Sequence, residues 1–246
     1  GKQGNYLGNT ESDWLSVLEV DRQLRNGEKL HFSHTLAHNL FSTLWGSFEK
    51  NRQLRKSILT LGIQSGVQHT VGDGGNADLS LAYKEPGDLN YALSGRIGWR
   101  TKRWITHLNY THVGGNGRWL SPREGGKDAW YTFIPRERNE GFESVDAVVG
   151  YVEYRFEKVP VQVYAHGGVH WLSNISDPAV NKYNFPSYRQ VNIGLKLQPK
   201  GVKNLDFHLI LVSKEPLSSK ELTPNQIYNK VELFHFNGIL NWRWNK

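Results

Sequence analysis

The sequence reads as all-β, an antiparallel transmembrane β-barrel of about 12 strands. Three observations lead there. Segment after segment alternates apolar and polar side chains, which on a strand point to opposite faces. Aromatic residues (9 Trp, 11 Tyr and 10 Phe among 246 residues) recur near the ends of those segments. The connections between segments alternate between tight and long, as in barrels with short periplasmic turns and long extracellular loops. Mean hydropathy is only −0.57, and no run approaches the ~20 apolar residues of a membrane helix. Alternation cancels hydropathy in any window, so neither fact argues against a barrel.

In chain order, Asp13–Leu24 and Lys29–Asn39 predict a hairpin around Asn26-Gly27, a strong turn signal. Leu40–Phe48 is a candidate twelfth strand with poor alternation, and segments near Lys56–Gln68 and Ala77–Tyr83 fit loosely. From there the pattern sharpens. Tyr91, Leu93, Gly95, Ile97 and Trp99 oppose Ser94, Arg96 and Arg100. Trp104, Leu108 and Tyr110 oppose His107 and Asn109, with Thr106 interrupting the apolar side. Val148, Gly150, Val152, Tyr154 and Phe156 oppose Glu153 and Arg155. The series Val161, Val163, Ala165, Gly167, Val169, Trp171 opposes Gln162, His166 and His170. Val191, Ile193, Leu195 and Leu197 oppose Asn192 and Lys196, and Leu205, Phe207, Leu209 and Leu211 oppose Asp206 and His208. In Val231–Trp244 one face carries Phe234, Phe236, Leu240, Trp242 and Trp244, and the other His235, Asn237, Asn241 and Arg243. Many of these strands reach ~10 residues, beyond the usual ~5–6 of soluble sheets.

Tight connections fall around Thr101-Lys102, Lys158 and Lys200-Gly201, and long ones at Gly114–Gly141, Ser173–Pro186 and Pro216–Tyr228. With the last strand ending on the periplasmic side, every long loop from Gly114 onward lies outside. No linker or domain boundary is visible, so residues 1–246 form a single barrel domain. Bacterial barrels hold an even number of strands. The count without Leu40–Phe48 is odd, so either that segment is a strand or the chain is a fragment of a larger barrel. The start at Gly1 implies a processed, trimmed or engineered chain whose signal peptide has gone.

Composition narrows the chemistry. The chain has no Cys, which excludes disulfides and thiolate metal sites. Its net charge is +7, but the charges are scattered through strand-like segments rather than clustered, which argues against nucleic acid. His166 and His170 share a face but lie ~13 Å apart along the strand, too far for one metal ion. Gly72-Asp73-Gly74-Gly75-Asn76 occurs once and reads as a plain turn. Gly114-Gly115-Asn116-Gly117 precedes no helix and is no nucleotide loop. No cofactor is implied.

The stretches Tyr131-Thr132-Phe133-Ile134-Pro135-Arg136-Glu137-Arg138-Asn139-Glu140-Gly141 and Asn181-Lys182-Tyr183-Asn184-Phe185-Pro186-Ser187-Tyr188, with Tyr151–Pro160 and Tyr228-Asn229-Lys230-Val231 running into the last strand, resemble the OprD-like outer-membrane porins. The resemblance covers about the last 130 residues. It implies a longer barrel passing small, often carboxylate-bearing solutes along basic lumen side chains. This chain is short for such porins. It ends Asn245-Lys246 where outer-membrane barrels end on an aromatic, which makes Trp244 the native end or near it.

The expected function is therefore passive diffusion of small, preferentially anionic solutes through a porin of the bacterial outer membrane, with no reaction. The expected pore lining is Arg96, Arg100, His107, Arg155, His166, Lys196, His235 and Arg243, with the basic set set against Glu153, Asp146 and Asp206. Arg136, Glu137 and Arg138, at the end of the longest loop, are candidates to fold inward and constrict the pore. The bland alternatives are a generally polar lumen with Arg paired to Glu153 or Asp206, and a solvated loop of weak surface ion pairs. The expected partners are lipid bilayer, lipopolysaccharide and small solutes; a homo-oligomer and membership of a larger outer-membrane complex both stay open. Two other classes compete: a barrel enzyme of the lipase or deacylase kind, and a soluble secreted carbohydrate-binding β-protein rich in Trp. The need for detergent separates the last from the others.

Overall fold

The computed structural model describes residues 10–121, 130–135, 140–173, 177, 179–199, 202, 204–218, 221–228 and 231–243. They form one sheet of eleven strands in sequence order, each antiparallel to the next. The strands are β1 (Leu15–Gln23), β2 (Glu28–Ala37), β3 (Phe41–Gln53), β4 (Ile58–Thr70), β5 (Leu89–Arg100), β6 (Trp104–Gly115), β7 (Val145–Arg155), β8 (Val161–Leu172), β9 (Tyr188–Leu197), β10 (Leu205–Pro216) and β11 (Leu233–Trp242). The only α-helix among the described residues is α1 (Pro224–Tyr228). The sheet is not closed: β1 and β11 each pair with one neighbour.

One expectation is overturned and one is met. Ala77–Tyr83 is not a strand. Its period-two pattern folds into a short 3-10 turn at Leu79–Leu81, because the Asp78 carboxylate accepts the Ser80 N–H at 3.0 Å and caps it. Leu40–Phe48 is the start of a true strand, β3. Eleven strands, rather than 12, are thus present among the described residues. The predicted hairpin forms: Asn26 and Gly27 both take positive φ, 72° and 78°, which these two residues tolerate best.

The two faces differ throughout. On the outer face Leu93, Ile97, Val152, Val163, Ile193, Leu209, Phe236 and Leu240 are all exposed, as the alternation requires. Aromatics mark both ends of this face. Tyr91, Tyr110, Trp171 and Phe234 lie toward one rim, and Trp99, Trp104, Phe156 and Trp242 toward the other. At the second rim the Trp104 and Tyr154 rings meet at 4.7 Å. The tight turns crowd this rim. There Glu157 accepts hydrogen bonds from Arg103 (2.6 Å) and Lys102 (3.1 Å), which hold its carboxyl at about 2. The long loops 71–88, 116–144, 173–187 and 217–232 all emerge at the first rim.

The inner face is the one on which the described parts of segment 116–144 pack. Its core is Trp45 of β3, Ala92 of β5, Val113 of β6 and Val145 and Ala147 of β7, covered by Trp119, Trp130, Phe142 and Phe185 from the loops. Asp146 does not face this side. It accepts from Tyr110 Oη (2.5 Å) and bonds His112 Nδ1 (3.0 Å), both on the outer face. Its register puts it with Val148 and Val152, so it leaves the inner charge balance.

Candidate functional site

Strand register assembles the inner wall. Arg96 of β5 lies opposite Asn109 of β6, His107 opposite Tyr151 of β7, and Tyr151 opposite His166 of β8. Glu153 faces Tyr164, while Lys196 of β9 lies between Gln162 and His208 of β10. Alternation alone would line these positions up. Ring stacking then fixes them: His107 lies on Tyr151 at 4.7 Å and 10°, and Tyr151 on Tyr164 at 5.8 Å and 27°. His166 meets both His107 and Tyr151 edge-on. Tyr164 Oη and His208 Nε2 are 2.8 Å apart. His166 is 9% exposed, and its Nε2 has no hydrogen-bond partner among the described residues.

The charges are unequally compensated. The Glu153 side chain, 4% exposed, receives Tyr151 Oη at 2.5 Å and Arg155 Nε at 2.7 Å, with Lys196 Nζ at 3.7 Å. One buried carboxylate therefore serves two of the predicted cations, which is the bland pairing anticipated for Glu153. Arg96 differs. It donates to Asn109 Oδ1 at 2.8 Å, and its guanidinium lies 4.2 Å from the Tyr131 ring centre. Among the described residues it makes no ion pair. A guanidinium over an aromatic face keeps its full charge.

The other predicted residues are dispersed. Arg100 and Arg243 are exposed at the tight-turn rim, and His235 is exposed on β11, 2.9 Å from Asn237 Oδ1. Arg136, Glu137 and Arg138 lie outside the described residues. Of their flanks, Trp130–Pro135 packs on the inner face, and Glu140 is held by Lys182 and Tyr183 at the long-loop rim.

That packing is a set of uncharged hydrogen bonds. Gln68 accepts the Leu120 N–H and donates to Leu120 O, both at 2.8 Å. Gln64 accepts the Tyr131 N–H at 3.0 Å, and Thr132 donates to Thr111 at 2.7 Å. On the far side, Gln190 and Asn192 of β9 both donate to Pro135 O, at 2.9 and 2.8 Å. The segment thus reaches from β4 across to β9. Two glycines make room for it. A Cβ at Gly62 would fall 2.8 Å from the Tyr131 ring, and one at Gly66 2.6 Å from Trp45 and 3.0 Å from Trp119.

At the long-loop rim a buried charged group ties the loop roots together. Lys84 donates to Asn90 Oδ1 and to Arg118 O (2.8 Å), and burial pulls its pKa down to about 8. Burial also works against the Lys182 ammonium. Glu140, 3.5 Å away, together with Tyr83 and Tyr183, outweighs it and raises that pKa.

Sequence reasoning missed the amides Gln64, Gln68, Gln190 and Asn192 and the inner-face Tyr151 and Tyr164. The available signal was Gly62 and Gly66, four apart on the inner parity of β4, where a wall that touches nothing has no need of glycine.

Neither a protein-family model nor a curated relative matches the sequence. Solved structures do match. OccK9 (OpdG) of Pseudomonas aeruginosa superposes with a TM-score of 0.72 at 11% identity, over 96% of this chain and 55% of that one. A double variant of OccD1 (OprD) gives 0.73 at 9%, over 93% and 59%. OccAB4 of Acinetobacter baumannii gives 0.62 at 13%, over 83% and 49%. The chain thus spans about half the length of these channels. The shared feature is the fold, that of an outer-membrane β-barrel channel, and it extends the likeness read from the last part of the sequence to nearly the whole chain.

Proposed function

We propose that this chain is wall and constriction of an outer-membrane porin, one domain over residues 1–246, that passes small solutes by diffusion and carries out no reaction. One observation carries the reading. A single sheet exposes apolar side chains on its outer face, and a polar inner face is crossed by a hydrogen-bonded loop. Lipid and the lipid-proximal sugars of lipopolysaccharide would meet the former and solute the latter, in the bacterial outer membrane. Outward-facing apolar positions flanked by aromatic girdles are what a bilayer requires of strands.

The finer reading is a preference for anions, including carboxylates. Its support is Arg96, which makes no direct ion pair among the described residues and feels the Glu49 carboxylate only at a distance, beside His107 and His166. Arg155 and Lys196 share the Glu153 carboxylate, which offsets one of their two charges. OpdK of Pseudomonas aeruginosa, which shares the fold, was crystallised with vanillate, a small carboxylate, and the same class of solute suits Arg96 here. Conductance in planar bilayers under a salt gradient tests both levels. An anion-directed reversal potential supports the preference, and cation selectivity removes it. Recovery of the chain in the aqueous phase without detergent removes the porin reading itself.

A further inference from the structure

Cations without a carboxylate partner gather where β1–β4 meet the tight-turn rim, and the inference drawn from them rests on the barrel reading. The β1–β2 turn, closed by the Leu24 N–H on Glu28 O at 2.8 Å, carries Arg25. The β3–β4 turn, closed by the Leu54 N–H on Ser57 O at 2.8 Å, carries Arg55 and Lys56. The two turns adjoin: a Cβ at Gly27 would lie 3.2 Å from Asn51 O. Arg22 and Arg52 have the outward parity of β1 and β3, opposite the outward Leu30 and Leu59. All five side chains are exposed, and none makes an ion pair among the described residues. The nearby carboxylates are engaged or turned away. Glu28 takes Lys50 at 2.9 Å, while Asp21 and Glu49 have inward parity, the former 2.9 Å from His31.

Five like charges at one rim repel one another, so the surface favours a counter-charge from outside the chain. Register defines where that charge would sit. Arg52 lies opposite Leu59, and Leu59 opposite Trp99 of the girdle. Apolar side chains and cations thus share one lipid-facing surface at the level of the aromatics, where the headgroups of a bilayer lie. A ligand that fits both halves is an acyl chain ending in an anionic phosphate, whose oxygens suit guanidinium groups. The long-loop rim has the opposite character among the described residues. Its outward Arg189 donates twice to Glu215 Oε2, at 3.0 and 2.6 Å, and the outward Asp146 would repel a phosphate. We propose that Arg22, Arg25, Arg52, Arg55 and Lys56 form a binding surface for anionic phospholipid. The phosphodiester lies on the cations and the acyl chains on Leu30, Leu59 and Trp99. The leaflet is the one at the tight turns, periplasmic in outer-membrane barrels. The apolar band binds any acyl chain, whereas this surface selects the headgroup.

The chain has no Cys, so a single introduced thiol can carry a fluorophore. Leu54→Cys places it between Arg52 and Arg55, and Leu89→Cys places it on the outer face at the long-loop rim; both leucines are exposed. Each variant is folded into phosphatidylcholine vesicles containing either phosphatidylglycerol or phosphatidylcholine with nitroxide-labelled acyl chains, and quenching gives the relative association constant of the two lipids. At Leu54→Cys phosphatidylglycerol should be preferred about fivefold or more, the gain expected of a single cation beside an anionic headgroup. Adding Arg52→Gln should lower that preference, adding Arg52→Gln, Arg55→Gln and Lys56→Gln together should abolish it, and Arg52→Lys should keep most of it. At Leu89→Cys the two lipids should quench alike. Equal quenching at Leu54→Cys, or a preference there that survives the triple substitution, would overturn the inference. So would an equal preference at both labels, which is general attraction to a chain of net charge +7. A chain that enters no vesicle at all would remove the barrel reading, and this inference with it.

Discussion

Replacing Ile63 by Arg places a charge in the middle of the apolar outer band. Ile63 is 57% exposed and lies opposite Gly95, halfway between Tyr91 and Trp99 on β5. Eight residues at ~3.4 Å span about 27 Å along the strand. A strand tilt of ~40° reduces that to roughly 21 Å of height, close to the ~25 Å apolar band of such barrels. Ile63 is then about 10 Å from either girdle, near the bilayer midplane, where a lipid-facing Arg costs roughly 2–4 kcal/mol. Val67, opposite Tyr91 at the girdle itself, provides the shallow comparison, at about 0–1 kcal/mol. Asn237→Arg, on the inner face, should be mild. Urea-driven folding into vesicles measures all three. The Ile63→Arg equilibrium constant should fall roughly 30- to 1,000-fold, since ~1.4 kcal/mol is a factor of ten. Equal costs at positions 63 and 67, or a larger cost for Asn237→Arg, would refute the assignment of the outer face to lipid.

Neutralising Arg96 as Arg96→Gln should reduce anion preference in planar bilayers, whereas Glu153→Gln, by releasing Arg155 and Lys196, should increase it. Both effects should shrink as the Debye length falls from ~10 Å at 0.1 M salt to ~3 Å at 1 M, and reversal potentials that ignore either substitution would remove Arg96 from the selectivity argument. Gly62→Val should push Tyr131 off the wall at a cost of about 1–3 kcal/mol; trypsin digestion should then reach the loop sooner than in the parent chain, and unchanged digestion would mean the loop is held elsewhere. Lys84 has a folded pKa of about 8 against an ordinary 10.5, so the folded state binds its proton less tightly than the unfolded one. Stability should therefore rise with pH between about 8 and 10.5, by up to about 3 kcal/mol, and a thermal midpoint that climbs equally in Lys84→Met would show that another group is responsible.

The strands from β5 onward were legible because their outer face has one environment along its length. Where an environment changes partway, the pattern misleads. β3 turns Phe41 and Trp45 inward beneath the loop, so its inner face is as apolar as its outer one, and period-two reading fails there. Leu79, Leu81 and Tyr83 alternate with Asp78 and Ser80, but a side-chain cap decides that segment, not burial. The pairing of Glu153 with Arg155 could be read from their spacing of two on one strand. The docking of Leu120 and Tyr131 onto β4 could not. Those hydrogen bonds join residues 52 and 67 positions apart, and nothing local announces them.

The hydrogen bonds that hold the loop at Leu120, Tyr131, Thr132 and Pro135 come from amides and a hydroxyl, and the Arg96 guanidinium over the Tyr131 ring adds a charged contact to them. Salt has little purchase on the hydrogen bonds, while it screens the field that Arg96 casts into the open lumen. Aperture width and charge preference should therefore respond to ionic strength separately. Titrating salt at fixed solute leaves the amide hydrogen bonds of the loop in place and varies chiefly the electrostatics, so a single chain can report how much of its discrimination is size and how much is charge.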